Sequence, residues 1–346
     1  MARHYPWLAP ATTGYRAWVT APDVRTRRQP IEALAAGAGS DESALTILIA
    51  LGANALVALA KSAAAVVTGS ASLVAEAAHS WADAGNQIFL VTANRRSRRA
   101  PDDAHPFGYG REAYIWSLFA ALGLFVAGAA VSVTHGVQEL ITPQPAERFV
   151  VGYAVLAVAA LLEGGSLLRA VQQAKPEAAS LDRDLVEHVL RTSDPTLRAV
   201  FAEDSAALVG LAIGATGLAL HQITGSPVPD ALGSIAIGIL LGVIAIVLID
   251  QNRRFLVGQE PDPAVRRAVI AALTADPDVE RVTYLRLEFV GPRLLTVVGD
   301  VDLAGDAREA DVAVRLRALE AHLDSSPAVA GTVLSLSAPD EPTIEG

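Results

Sequence analysis

Three side chains that could bind a metal ion lie within two helical turns of an otherwise apolar stretch. The segment AEAAHSWADAGNQ, residues 75–87, carries Glu76, His79 and Asp83. A helix places all three on one face, because residues three and four apart are neighbours along a helix. Imidazole nitrogen and carboxylate oxygen suit Zn²⁺ and other divalent transition metals, whereas Mg²⁺ and Ca²⁺ prefer oxygen ligands. The spacing therefore predicts half of a transition-metal site.

A second pair of acids, in VFAEDSAALVG, supplies candidates for the other half. Glu203 and Asp204 are flanked by small residues that allow close helix packing. The alternative is structural: a His–Asp hydrogen bond between helices, or acids that simply reach water near a helix end. The chain has no cysteine, so a thiolate metal site and a disulfide framework are excluded.

The elements that must position these residues are membrane helices. The chain is 52% hydrophobic and 18% charged over 346 residues. Long apolar segments need about 20 residues to cross the hydrocarbon of a bilayer, where only helices satisfy the backbone locally. We predict six such helices, at residues 44–68, 71–93, 112–138, 149–170, 198–221 and 229–250.

The remaining sequence predicts two non-membrane parts around a transport domain at residues 43–254. Residues 1–42, rich in Pro, Thr and Arg, are predicted to be a flexible cytoplasmic tail. Residues 255–346 show the order α-β-β-α-β, with Gly291-Pro292 as a hairpin turn, which is typical of a small ferredoxin-like α+β domain. Such a domain commonly dimerises or regulates.

The distribution of basic residues predicts the orientation of the chain. Connections on one side of the six segments are rich in arginine and lysine, and those on the other side hold only Arg148. Because basic residues concentrate on the cytoplasmic side, both termini are expected there. The basic residues are Arg16, Arg25, Arg27, Arg28, Arg95, Arg96, Arg98, Arg99, Arg111, Lys175, Arg183, Arg191, Arg253 and Arg254.

Three further charges lie in the apolar segments. Lys61 lies near the outer end of the first segment and is expected to extend to the membrane interface. Glu163 on the fourth segment is open to three interpretations: a proton relay, a ligand in another state, or a partner for a polar group. Asp230 is explained as a first-turn acid of the sixth segment.

The motifs around these residues resemble a known family. GSASLVAEAAHSWADAGNQ and PDDAHPFGYGREA are similar to the cation diffusion facilitators, six-helix proton-coupled transporters of zinc and manganese. RTSDPTLRAVFAEDSAALVGL resembles the branch of the animal mitochondrial zinc exporter. The resemblance covers residues 43 to 340. It implies a homodimer that exports a divalent metal in exchange for protons by alternating access.

The resemblance also implies where the transported ion binds. The family pattern places two ligands on the second helix, matching His79 and Asp83, and two on the fifth, matching Val200 and Asp204. Valine cannot bind a metal, so the fourth ligand is open between Glu203, Glu76 and a water molecule. The His–Asp pair on the second helix resembles the corresponding pair in the zinc-selective members of the family.

Two further family sites match only partly. Asp102 and His105 match an Asp and a His of a second metal site, but Tyr109 replaces its second histidine. That segment is alternatively a turn that leads into the third helix. In the C-terminal domain the metal-binding positions of several members read Thr283, Asp300 and Ser337, and the only histidine there is His322. Dimerisation through packing is therefore expected there, without metal sensing.

The sequence thus predicts a zinc transporter of the membrane, most simply the bacterial inner membrane. The alternatives are export of Mn²⁺, Fe²⁺ or Co²⁺, and a metal-binding sensor that does not transport. An enzyme is not expected, since the H-E-x-x-H pattern of metal hydrolases is absent. The expected partners are the metal ion, protons, lipid and a second copy of the chain, with no cofactor and no nucleic acid. Histidine ordinarily titrates near neutral pH, so His79 is the predicted carrier of an exchanged proton.

Overall fold

The computed structural model describes residues 44–143 and 148–344, with side chains throughout except at residues 44–50 and 124. The predicted tail, residues 1–42, lies outside the described residues. Within them, six long helices and one short helix come first, which confirms the predicted helical membrane domain. They are α1 Ala44–Thr68, α2 Ala71–Ser97, α3 Glu112–Ile141, α4 Phe149–Ser180, the short α5 Leu185–Arg191, α6 Pro195–Thr224 and α7 Val228–Val257. One π turn, Ala121–Phe125, interrupts α3.

Five of the six long helices have the length and hydropathy of membrane spans: α1, α3, α4, α6 and α7. The other long helix, α2, is less apolar because it carries the polar residues of the predicted metal site. It lies inside the bundle, in contact with α1, α3, α6 and α7. Enclosure by other helices allows α2 to hold polar groups away from lipid.

Local sequence explains several helix ends. The Ser70 side chain accepts a hydrogen bond from the Leu73 amide at the start of α2, and Asp194 does the same for Thr196 and Leu197 before α6. Serine and aspartate are favoured at this position because they satisfy free backbone amides.

Several helices are longer than their predicted apolar segments. The largest difference is in α4, which ends at Ser180, whereas its predicted segment ends at residue 170. Hydropathy marks only the part inside lipid, so it misses such extensions.

The C-terminal domain follows the predicted order. It consists of α8 Pro263–Thr274, β1 Val279–Gly291, β2 Leu294–Leu303, α9 Glu309–Asp324 and β3 Val329–Leu336. Strand β2 pairs with β1 antiparallel and with β3 parallel, in the order β1-β2-β3. Helix α9 makes the crossover between the two parallel strands, which confirms the small α+β domain.

The β1–β2 hairpin is seated on the end of the bundle where α3 begins. The backbones of Gly110 and Gly291 are in contact, so closely that a Cβ on either glycine would overlap the backbone of the other. The Arg293 amide donates to Ser193 Oγ at 3.0 Å, and its guanidinium donates to Glu177 at 3.0 Å. The helical bundle and the C-terminal domain are therefore joined by backbone packing, hydrogen bonds and an ion pair.

Candidate metal centre

A single polar stripe runs along the buried face of α2. It consists of Ser72, Glu76, His79, Asp83 and Asn86, all of them buried. Their spacing alternates between four and three residues, which keeps a helical stripe in one direction. His79 Nε2 lies 3.5 Å from Asp83 Oδ2, and neither ring nitrogen of His79 makes a hydrogen bond. The predicted second-helix pair is therefore brought together in the bundle interior.

Helix α6 brings the second acidic pair to this stripe. Glu203 and Asp204 are both buried. The Asn86 side chain of α2 donates a hydrogen bond to a Glu203 oxygen. One oxygen of Asp204, Oδ2, makes no hydrogen bond. The two predicted halves of the site thus face each other across the α2–α6 contact.

Glu163 of α4 is a further acid that interacts with this set. Its charge acts on Asp83, His79 and Asp204, and it approaches the Asp204 carboxylate together with Ser166. The Glu163 side chain is only partly buried. The structure thus brings to the predicted centre a residue whose role the sequence left open.

These side chains are neighbours and do not form a closed coordination shell. Across residues 44–143 and 148–344, no three histidine, aspartate or glutamate side chains converge as in a formed metal site. The donor set itself, an imidazole beside carboxylates with several unpartnered oxygen and nitrogen atoms, matches what a divalent transition metal accepts.

The prediction for Lys61 is wrong. Its side chain is fully buried and its ammonium lies 3.0 Å from the Glu76 carboxylate. A lysine so far inside the bundle cannot extend to the interface, and an ion pair compensates its charge instead. This contact also gives Glu76 a partner on α1.

The family pattern assigns one ligand to the position of Val200 on α6, the fifth of the predicted membrane helices. Val200 is half-buried and lies one turn before Asp204. An aliphatic side chain offers no donor atom there. Glu203 of α6 and Glu163 of α4 are acids that interact with the Asp83 and Asp204 carboxylates. The identity of the fourth ligand remains a prediction.

Asp102 and His105 form a tight turn on the surface. Asp102 Oδ1 accepts hydrogen bonds from the backbone amides of Ala104 and His105, and Oδ2 accepts one from the Tyr109 hydroxyl at 2.7 Å. These bonds, that from Tyr109 first, hold the pKa of Asp102 below its usual range. Both Asp102 oxygens are engaged within the segment, and a second metal site here stays a hypothesis.

Asp230 does lie in the first turn of α7, but it also caps another helix. It accepts hydrogen bonds from the Ser70 hydroxyl at 2.9 Å and from the Ala71 amide at 2.7 Å, and a further one from Ser72. The buried carboxylate therefore ties the start of α7 to the start of α2.

The C-terminal positions singled out in the sequence make ordinary polar contacts. Thr283 and Ser337 share a hydroxyl hydrogen bond of 2.7 Å, and Asp300 accepts one from Ser335. His322 is exposed on α9. None of these contacts adds a ligand to the membrane site.

Sequence reasoning missed Asn86 and Ser166. Asn86 lies three residues after Asp83, so the same helical spacing that selected His79 and Asp83 also marks it. Ser166 follows Glu163 by three residues on α4. Neither residue carries charge, so neither stands out in a search for ionisable groups in apolar segments.

Imidazole and carboxylate side chains lie buried together inside a bundle of apolar helices, a set chemically suited to cations. The family described as the cation efflux transmembrane domain matches residues 47–257 of this chain. The chain therefore belongs to the cation efflux family, also called the cation diffusion facilitators.

Individual relatives agree with this assignment. The chain is 39% identical over 233 residues to metal tolerance protein C4 of Arabidopsis thaliana, an alignment that covers 67% of this chain and 51% of the relative. It is 34% identical over 259 residues to the proton-coupled zinc antiporter SLC30A9, mitochondrial, of Homo sapiens, covering 75% and 46% of the two chains. The cation-efflux pump FieF of Cronobacter sakazakii is 27% identical over 228 residues, covering 65% and 69%. The chain spans about half the length of the plant and human relatives.

Proposed function

We propose that this protein exports Zn²⁺ from the cytoplasm in exchange for protons. The observation that carries the proposal is the meeting of His79 and Asp83 on α2 with Asp204 on α6 and Glu163 on α4, all inside the bundle. Ionisable groups inside a membrane are costly and mark substrate paths. The relative named as a proton-coupled zinc antiporter supports both the ion and the exchange.

In this proposal the ligands are His79, Asp83, Asp204 and Glu163. Glu163 takes the place left by Val200 because its charge acts on all three of the others. Glu203, one of the candidates for the fourth ligand that the sequence leaves open, instead accepts a hydrogen bond from Asn86 and belongs to the outer shell of the site. Partners in such an outer shell orient the ligands and tune the metal.

Proton exchange follows from the chemistry of these ligands. Carboxylates and imidazole must be deprotonated to bind a metal, so protons and metal compete for the same atoms. A site open to the cytoplasm takes up the ion as protons leave, and a site open to the other side releases it as protons return. We propose further that the protein works as a homodimer in a bacterial inner membrane, with both termini in the cytoplasm.

The test is metal uptake by purified protein in liposomes with an acidic lumen and a zinc indicator inside. The proposal expects Zn²⁺ influx that depends on the pH gradient and stops when a protonophore collapses it. Mn²⁺, Fe²⁺ and Co²⁺, run side by side, report selectivity, and faster transport of one of them would replace zinc as the substrate. Binding of Zn²⁺ without influx would instead assign the protein as a sensor.

A further inference from the structure

The ion pair between Lys61 and Glu76 is a feature of the bundle that metal coordination does not explain. Lys61 Nζ on α1 lies 3.0 Å from Glu76 Oε2 on α2, and both side chains are 0% exposed. Moving two charges out of water is costly, and their attraction offsets that cost only in good geometry. An apolar pair would join the two helices with less cost, so the charges themselves need an explanation.

The second oxygen of Glu76 faces a different helix. Glu76 Oε1 makes no hydrogen bond and lies against Gly210 of α6, where a Cβ would overlap it. Gly214, one turn further along α6, lies beside the Glu76 stem. The Glu76 side chain therefore fills a groove that two glycines leave open, and it is held between α1 and α6.

The pair lies directly beside the proposed metal ligands. His79 follows Glu76 by one turn on the same face of α2. The Lys61 charge acts on His79, Asp83 and Glu163. An unpaired charge in the protein interior acts strongly on its neighbours because the local dielectric is low. Either member of the pair, if left alone, would therefore change how the site attracts a divalent cation.

We propose that Lys61 is a positioning residue of the transport site and that Lys61 and Glu76 act as one neutral unit. Lys61 holds the Glu76 carboxylate against α1 and α6, so Glu76 is not a metal ligand. Glu76 in turn cancels the ammonium charge that would repel the ion. The Lys61–Glu76 pair holds in place the turn of α2 that precedes His79. This inference rests on the proposed function, since it takes the His79 site as the place where the metal binds.

The experiment compares Glu76→Gln, Lys61→Met and the double variant in the liposome assay, with rates measured over a range of Zn²⁺ concentrations. Glu76→Gln leaves an unpaired ammonium, and we expect the KM for Zn²⁺ to rise at least about tenfold. Lys61→Met leaves an unpaired carboxylate near the site, and we expect a lower KM together with a lower maximal rate because release slows. The double variant, again neutral, is expected to regain a KM within about threefold of the parent.

Other outcomes overturn the proposal in separable ways. A double variant with the raised KM of Glu76→Gln would show that Glu76 binds metal or carries protons itself. Loss of maximal rate in both single variants at an unchanged KM would reduce the pair to a structural contact. If the single variants do not fold, the double variant alone decides, since its KM is either that of the parent or raised. Glu187→Gln, in the exposed pair with Arg191, is the matched control for losing an ion pair.

Failure of this inference is distinct from failure of the proposed function. His79→Ala run in the same assay reports on the metal site itself. If His79→Ala transports at the parent rate, the site is misassigned. If His79→Ala is inactive and the double variant stays impaired, the metal site is supported and the proposal that Lys61 and Glu76 act as a neutral unit is wrong.

Discussion

The carboxylate of Asp230, in the first turn of α7, accepts a hydrogen bond of 2.7 Å from the amide of Ala71, the first residue of α2. Two hydroxyls of the same segment also donate to it. The helix that carries the metal-binding stripe is thus held at one end by a buried acid of another helix. A free backbone amide at a helix start favours a negative charge, which gives this contact its strength.

We expect Asp230→Asn to lower the thermal stability of the protein in detergent. The amide keeps the shape of the carboxylate but loses the charge that three donors share, and hydrogen bonds to charged groups contribute about 1.5–3 kcal/mol each. The melting temperature, followed by loss of soluble protein on heating, measures the change. Asp311→Asn, at an exposed first-turn acid of α9, is the control and is expected to leave the melting temperature unchanged. Equal melting of parent and Asp230→Asn would show that the cap contributes nothing.

The relative roles of Glu163 and Glu203 are tested by their amide variants. We expect Glu163→Gln to reduce zinc transport by more than Glu203→Gln, since Glu163 is the proposed ligand and Glu203 a support. Changes in the outer shell of a metal site cost about 10–100-fold in affinity or activity, so loss of a ligand should exceed that. Initial rates at saturating and at low Zn²⁺ measure both effects. The reverse order would move the fourth ligand to α6.

The Asp102 turn gives a pH dependence. Hydrogen bonds from Tyr109 and from the His105 amide lower the pKa of Asp102 in the folded protein, so the ionised form stabilises the turn. That stability is present above the ordinary aspartate pKa and is lost as the pH falls through the lowered value. The protection of the 102–109 amides, measured as the intrinsic exchange rate at each pH divided by the observed rate, is expected to hold at pH 6 and to be lost only in acid. Asp102→Asn should lack this protection at every pH.

The same segment also tests the hypothesis of a second metal site. If Asp102 and His105 serve only the turn, the double variant Asp102→Asn, His105→Gln binds as many zinc ions as the parent at equilibrium. One zinc ion fewer per chain would establish a site there. The count requires only the metal and the purified protein.

Arg293 at the tip of the hairpin is expected to hold the C-terminal domain on the bundle. Its guanidinium is 7% exposed and contacts Glu177 at 3.0 Å and Asp194 at 3.5 Å. Removing one partner of a buried ion pair costs about 3–5 kcal/mol because the other charge is left unpaired. Arg293→Gln should therefore speed limited proteolysis at the 258–262 connection. Arg191→Gln, in an exposed pair, is the control, and equal cleavage of the two variants would contradict the assigned role.

The sequence predicts most of the fold for physical reasons that operate locally. Hydropathy reports lipid contact, so it finds α1, α3, α4, α6 and α7, and period and turn signals find the α-β-β-α-β domain. Helix α2 is predicted in spite of its polar stripe because the segment also carries apolar runs, at residues 73–75 and 88–91. The short helix α5 and the C-terminal extension of α4 are not predicted because they lie beyond the apolar segments.

The site is predicted only as far as one helix at a time allows. His79 and Asp83 share a face of α2, and spacing alone reveals it. Lys61 is misplaced because its depth depends on which side of α1 meets Glu76. The role of Glu163 depends on the packing of α4 against α6, which no pattern within α4 encodes. Tertiary packing decides which intramembrane charges meet.

The most direct test of the central claim is zinc influx by His79→Ala and Asp204→Asn in liposomes with an acidic lumen. Both variants change a proposed ligand on facing helices, α2 and α6, so the account predicts that each loses gradient-driven Zn²⁺ uptake. Parent-like melting temperatures would exclude unfolding as the cause. Uptake by either variant at the rate of the parent would contradict the assignment of this buried set as the transport site.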